Sequence, residues 1–149
     1  MSYSAIVSGA SGKIGSHILD QLNISKINTL AITRKLDKTI KGVPNLNIDL
    51  LGNHNKVTTN WVNENDEKNI IFFHCAWSGD ECLTDGNIQS QLKNIELLSN
   101  AIKIAKQAGC QKFINIGTSE EFITRNDLKN WLNKPNLLKP YALSKLTSY

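Results

Sequence analysis

Ser4-Ala5-Ile6-Val7-Ser8-Gly9-Ala10-Ser11-Gly12-Lys13-Ile14-Gly15 is the stretch that decides the fold. Its first five residues are a short apolar run of strand character, after which Ile14, Ile18, Leu19 and Leu22 recur at helical spacing. Three glycines therefore sit on a strand-to-helix turn, where each has a physical task. Gly9 permits the tight turn, Gly12 lets the backbone approach a pyrophosphate with no side chain between, and Gly15 lets the helix pack closely on the strand. The free N–H groups at the helix amino terminus favour an anion. A turn that needs glycine only for its own geometry is the competing explanation.

The same alternation continues outward. Residues 29–33 read as a second strand and residues 45–49 as a short third. A polar stretch with Val57, Trp61 and Val62 on one face predicts a helix, and residues 69–76 are the most hydrophobic strand candidate. A long helix over 87–108 carries Ile88, Leu92, Ile95, Leu98, Ile102 and Ala105 at intervals of three or four, with Gly109 at its stop. Residues 112–117 are a fifth strand, and a polar loop with Pro135 leads to Pro140 in the first turn of a last helix. Apolar strands alternating with helices predict a parallel sheet covered on both faces, so the fold class is α/β, doubly wound, in one domain over 1–149.

Composition narrows the function classes. A chain of 149 residues with 40% hydrophobic and 20% charged residues is not disordered, and no apolar run approaches the ~20 residues of a membrane helix. The start lacks the basic and long apolar segments of a signal peptide, which predicts a cytoplasmic location. Seventeen Lys+Arg against 13 Asp+Glu leave +4, scattered along the chain, so neither nucleic acid nor membrane is an expected partner. Cys75, Cys82 and Cys110 show no Cys-x-x-Cys spacing and read as reduced thiols. His17, His54 and His74 are too dispersed to propose a metal site.

The chemistry concentrates near the end. Pro140-Tyr141-Ala142-Leu143-Ser144-Lys145 puts Tyr141 and Lys145 four apart, on one helical face. A phenol with a pKa of ~10 is a poor base at neutral pH, but an adjacent ammonium, or the positive ring of an oxidised nicotinamide, favours the phenolate. Tyr-x-x-x-Lys by itself often marks a solvated helix face; here it follows the glycine turn and a candidate hydroxyl, Thr118, at the end of the fifth strand. Ligands of open parallel sheets bind beyond the carboxyl ends of the strands. Thr118 has an alternative role in capping or turn formation. At the end of the second strand, Thr33-Arg34-Lys35 offers cations to a 2′-phosphate where a carboxylate would bind a ribose hydroxyl, which favours NADP over NAD; a solvated basic loop is the bland reading.

Together these residues resemble the amino-terminal half of an extended short-chain dehydrogenase/reductase, of the nucleotide-sugar epimerase/dehydratase group. The likeness extends over nearly the whole chain and implies an NAD(P)-binding Rossmann fold. Ser11, Lys13 and Ile14 stand where the family's backbone meets pyrophosphate, and Asp49-Leu50 looks like the acidic-aliphatic pair that touches the adenine. His74-Cys75-Ala76-Trp77 resembles the His-x-Ala-Ala end of the fourth strand, so His74 and Ala76 join the implied cofactor set. Asn94-Ile95 matches an Asn-Val in the next helix, and Thr118, Tyr141 and Lys145 match the Ser/Thr-Tyr-Lys triad. Two departures stand out: Trp77 replaces a small residue, and Glu121-Phe122-Ile123 replaces Val-Tyr-Gly.

The resemblance implies hydride transfer at a sugar carbon of a nucleotide-activated sugar, with Tyr141 exchanging the hydroxyl proton, Thr118 holding the oxygen, and Lys145 lowering the phenol pKa and binding the nicotinamide ribose. Thr118-Ser119-Glu120 is similar to the Thr-Ser-Glu of some dehydratases, including those acting on GDP-mannose. Glu120 is thus either a base for proton abstraction beside a keto group or a solvated loop carboxylate. Epimerase, 4,6-dehydratase and 4-keto reductase all stay open. A non-catalytic NAD(P)-binding or assembly module is the competing class, and a purely structural domain leaves the glycine turn unexplained. In relatives the helix over 87–108 and the one from Pro140 pair across a homodimer; the dimer expected here rests on that likeness alone. A doubly wound cofactor domain places a further strand after the Tyr141 helix, which predicts a fragment of a longer enzyme, inactive by itself.

Overall fold

The computed structural model describes residues 3–52, 61, 69–78, 88–130 and 145–146, without the side chains at 88, 90, 120, 127, 128 and 130. The elements run β1 (Ser4–Ser8), α1 (Lys13–Ile24), β2 (Asn28–Thr33), β3 (Thr39–Ile40), β4 (Val43–Asn47), β5 (Ile70–His74), α2 (Ile88–Gln107), β6 (Lys112–Asn115) and α3 (Ser119–Asn130). They form one six-stranded sheet in the order β3-β4-β2-β1-β5-β6. All neighbours are parallel except the β3–β4 pair. From β1 the chain builds outward through β2 and β4, then crosses to β5 and β6 on the other side. The order therefore reverses between β1 and β5, and ligands of such sheets bind at that crevice.

Side-chain alternation explains why both faces are covered. Ile6, Leu30, Ile32 and Phe72 point to one face, where Leu97, Ala101, Ile104 and Ala105 of α2 pack on them. Val7 and Ala31 point to the other, against Leu19 of α1. Every residue of β1 is buried, as expected for a central strand flanked on both edges and both faces. α2 ends as its sequence predicts: Gly109 takes φ +68°, and Cys110 N–H bonds back to Ala105 O at 2.9 Å. α1 ends with the same bond pattern, Ile27 N–H to Leu22 O at 2.9 Å, but its left-handed residue is Lys26 at φ 55°.

Four expectations need correcting. The third strand is Val43–Asn47, not 45–49, and it begins as the second arm of a hairpin with β3. Lys41 and Gly42, both at positive φ, make that two-residue turn. The fifth strand is Lys112–Asn115 and stops short of 116–117. Residues 119–130, read as part of a polar loop, are helix α3, opened by a capping box in which Glu121 Oε1 accepts the Thr118 N–H at 2.8 Å. Ile14 is exposed, and Gly15 takes the buried place in the first turn of α1. The helix expected around Val57 and Val62 lies outside the described residues; Trp61, between them, packs on the α2 side of the core.

Candidate active site

A cleft of about 180 Å³ opens where the sheet order reverses, between the turn after β1 and the segment after β5. Gly9, Ser11 and Gly12 form one wall, and Cys75, Ala76, Trp77 and Ser78 form another. Thr33 and Arg34 at the end of β2 and 48–51 beyond β4 close the far end. Whole-ligand pockets span roughly 300–1,000 Å³, so the described walls bound only part of a site of that size.

Packing dictates two of the three glycines. A Cβ on Gly9 would lie 2.5 Å from Ala76 N, and one on Gly15 would run into the Gly9 carbonyl oxygen. A Cβ on Gly12 would meet only Gly9 O, at 3.2 Å. Gly12 lines the cleft, precedes α1 with no side-chain cap, and the first turn of α1 has no acidic residue. An uncovered helix start facing a cleft suits a phosphate, so the residues present fit a dinucleotide. The rest of the cleft is held by side chains that tie loops down. Asn45 Nδ2 donates to Lys35 O at 3.1 Å and Asp37 O at 2.7 Å, fixing the loop after Arg34. Asp49 Oδ1 accepts Leu51 N–H at 3.1 Å, and Asn100 Nδ2 donates to Leu50 O at 2.6 Å. Buried Asn94 accepts Ser78 N–H at 2.7 Å and donates to Ser78 O at 2.8 Å, pinning the segment after β5.

Trp77 joins the cleft to a second group of residues. Its ring lies 3.6 Å beneath Lys145 Nζ, and that ammonium also donates to Ile116 O at 2.8 Å. That bond places the Lys145 ammonium beyond the carboxyl end of β6, at a carbonyl two residues before Thr118. Burial lowers the Lys145 pKa, with Glu121 and then Cys75 pulling the other way. Burial pushes the Cys75 thiol up to about 11, and Lys145 opposes that, so the sulfur stays protonated at neutral pH. His74, buried beside Ser8 with Oγ and Nδ1 2.8 Å apart, falls to about 4 through burial and then the Lys145 charge. It is a neutral imidazole at pH 7.

The sequence profile of the NAD dependent epimerase/dehydratase family matches residues 5–149. The chain belongs to that family. No curated protein matches the chain. Among solved structures, a UDP-galactose 4-epimerase is similar at a TM-score of 0.70 and 16% identity, covering 97% of this chain and 48% of its own. UDP-N-acetylglucosamine 4-epimerase from Bacillus cereus gives 0.65 and 19%, with 99% and 46% covered. MoeE5 in complex with UDP-glucose and NAD gives 0.67 and 20%, with 97% and 46% covered. At these identities the likeness is one of fold, and the chain spans about half the length of these three structures.

Within this epimerase/dehydratase frame the expected residues divide. Gly9, Ser11, Gly12, Arg34, Asp49, Leu50 and Ala76 line the cleft. Lys13 and Ile14 are exposed at the start of α1 outside its lining, while Gly15 and His74 are buried behind it. Lys145 bonds to Ile116 O, two residues before Thr118; Tyr141 lies outside the described residues, as does the Glu120 side chain. Glu121 was not among the expected site residues, although Thr118-x-x-Glu121 is a legible capping signature. No helix among the described residues is long and apolar enough to cross a membrane, and none of their His, Cys, Asp and Glu side chains form a metal-binding group.

Proposed function

We propose that the chain is the cofactor-binding part of an NAD(P)-dependent enzyme that acts on a nucleotide-activated sugar by hydride transfer, as an epimerase, 4,6-dehydratase or 4-keto reductase. The observation that carries this reading is the contact of Trp77, a cleft-lining residue, with Lys145, whose ammonium bonds to Ile116 O two residues before Thr118. The family match and the UDP-sugar enzymes of the same fold support the substrate class. When bound, the nicotinamide supplies a hydride acceptor and donor. Ser11, Gly12 and the N–H groups of Lys13, Ile14 and Gly15 would hold its phosphates. Asp49 and Leu50 would hold the adenine end, and Arg34 on the cleft wall would favour the 2′-phosphate of NADP, with NAD as the alternative cofactor.

The proton chemistry belongs to the chain itself. Tyr141 removes the sugar hydroxyl proton as phenolate, Thr118 orients the same oxygen, and the Lys145 ammonium lowers the phenol pKa. Glu120 is the candidate base for a dehydration step. A homodimer through α2, which leaves Leu92 and Ile102 exposed, belongs to the same reading. One observation favours the non-catalytic alternative: Lys145 is already engaged by Ile116 O and the Trp77 ring. Turnover of a panel of UDP- and GDP-sugars by the complete enzyme decides between them. Tyr141→Phe is expected to cut the rate by about 10²–10⁴ while cofactor still binds. Near-normal turnover in that variant overturns the catalytic assignment, and cofactor binding without turnover in the parent protein favours the module.

A further inference from the structure

We propose that His74 Nε2 and Asn115 Oδ1 hold one buried water between them, which completes a hydrogen-bonded row from Ser8 through His74 to Asn115 behind the cleft. The bearing of that row on the site rests on the proposed function, but its geometry stands without it. His74 is 1% exposed and Ser8 is fully buried. The two are partners in the β1–β5 register, and His74 and Asn115 are partners in the β5–β6 register. Partners on adjacent parallel strands project to the same face. Here it is the α2 face: Phe72, two residues before His74, stacks on Phe113, two before Asn115, with ring centroids 5.2 Å apart in the α2-side core. The His74 ring lies against the same Phe113 ring at 5.9 Å.

Burial decides where the imidazole carries its proton. The Ser8 hydroxyl has one hydrogen-bond partner among the described residues, His74 Nδ1 at 2.8 Å. A fully buried hydroxyl must place its hydrogen on an acceptor, so Oγ–H donates to Nδ1 and the neutral ring carries its own proton on Nε2. The fall of the His74 pKa to about 4, through burial and then the Lys145 charge, agrees with a ring that stays neutral. With Nδ1 turned to β1, Nε2 is turned away from it, and β6 is the neighbouring strand on that side. Nε2 and Asn115 Oδ1 are both buried without a hydrogen-bond partner among the described residues. One is a donor and the other an acceptor, on partner residues, yet they form no direct bond. Neighbouring strands lie about 4.8 Å apart, a gap that one water spans with a bond of about 2.9 Å on each side. Such a water restores to each atom the bond it loses on leaving solvent. The row then ties three strand ends, and the residue after each belongs to the site: Gly9 after Ser8, Cys75 after His74, and Ile116, whose carbonyl accepts from Lys145, after Asn115. His74 thereby holds the cleft from behind rather than lining it.

Ring-¹⁵N labelling of histidine in the folded protein without cofactor gives the test. Two-bond ring couplings report the tautomer, and a water-selective ROE reports whether a bound water touches the Nε2–H. The expected result is an Nε2–H tautomer with an ROE to a water that exchanges slowly with bulk. Asn115→Leu, similar in size, removes the acceptor and is expected to abolish that ROE. Asn115→Asp keeps Oδ1 and adds an anion facing Nε2, so the His74 midpoint is expected to rise from about 4 by about 1–3 pH units. An Nδ1–H tautomer in the parent, an Nε2–H with no water contact, or an Asn115→Asp protein whose midpoint stays near 4 would each overturn the inference. The parent and Asn115→Asp decide the matter even where Asn115→Leu fails to fold. No dinucleotide takes part, so a failure to bind one counts against the proposed function and leaves this result readable.

Discussion

Replacing Gly9 with alanine is expected to damage the fold, whereas replacing Gly12 is expected to damage ligand binding. Gly9 takes φ +68°, a conformation that costs an L-residue about 1–2 kcal/mol. Its new Cβ would stand 2.5 Å from Ala76 N and 2.7 Å from both Ala76 Cα and Cys75 C, all main-chain atoms. Those atoms cannot retreat freely, because Cys75 N–H bonds to Ser8 O at 3.0 Å and so extends the β1–β5 pairing. Overpacking of this kind adds about 1–3 kcal/mol. The combined loss of about 2–5 kcal/mol is a large share of the roughly 5–15 kcal/mol that holds an ordinary domain together. Gly12 has an ordinary φ of −79° and a single close neighbour, so alanine there costs no more than about 1 kcal/mol. Its methyl group, however, enters the cleft at the start of α1, and a loss of even about 1.4 kcal/mol there is a tenfold weaker complex. Guanidinium unfolding followed by circular dichroism measures the first effect, and calorimetric titration with NAD and NADP the second. The reasoning is refuted by a Gly9→Ala protein as stable as the parent, or by a Gly12→Ala protein that binds either dinucleotide as tightly.

Two further outcomes concern stability. Lys26→Gly relieves a left-handed lysine at the exposed end of α1 and is expected to raise stability by about 1 kcal/mol, read as a higher denaturant midpoint; a lower midpoint would show that the lysine side chain contributes more than its backbone conformation costs. His74 titrates near 4 when folded against an ordinary 6.5, so between those values the unfolded chain takes up a proton that the folded one refuses. Stability is then full above about pH 6.5 and falls as the pH drops towards 4, by roughly 3 kcal/mol at about 1.4 kcal/mol per pH unit. In His74→Gln the slope over that window is expected to flatten, and an unchanged slope would assign it to other groups.

The parallel core was legible because its signals were local and mutually consistent. Apolar runs named β1, β2, β5 and β6, the three-and-four spacing named α2, and Gly109 marked its stop. α3 was harder for a physical reason. Among its described side chains the buried ones are Glu121 and Thr124, while Phe122 (69% exposed) and Ile123 (49%) are exposed, so the apolar residues of its first turns do not mark the buried side. The two-residue β3 and its Lys41-Gly42 turn lack the Asn-Gly or Asp-Gly signature of a hairpin, and Pro44 argues against a strand start that only a sheet-edge pairing permits. In the site, residue types near the ends of β1, β2 and β4 were readable because the glycine turn fixes where a cleft must open. The Trp77–Lys145 contact and the Glu121 cap join segments far apart in the chain, and sequence spacing carries no signal for such contacts.

Calorimetric titration of the folded protein with NADP and NAD tests the central claim most directly, since every functional role assigned here depends on a dinucleotide lying between the Gly9–Gly12 turn and the Ala76–Ser78 segment. Saturable one-to-one binding is predicted, tighter for NADP, with the preference removed by Arg34→Ala. Folded protein that gives no binding heat and no chemical-shift change at Gly12 or Ala76 with either dinucleotide at millimolar concentration would contradict it.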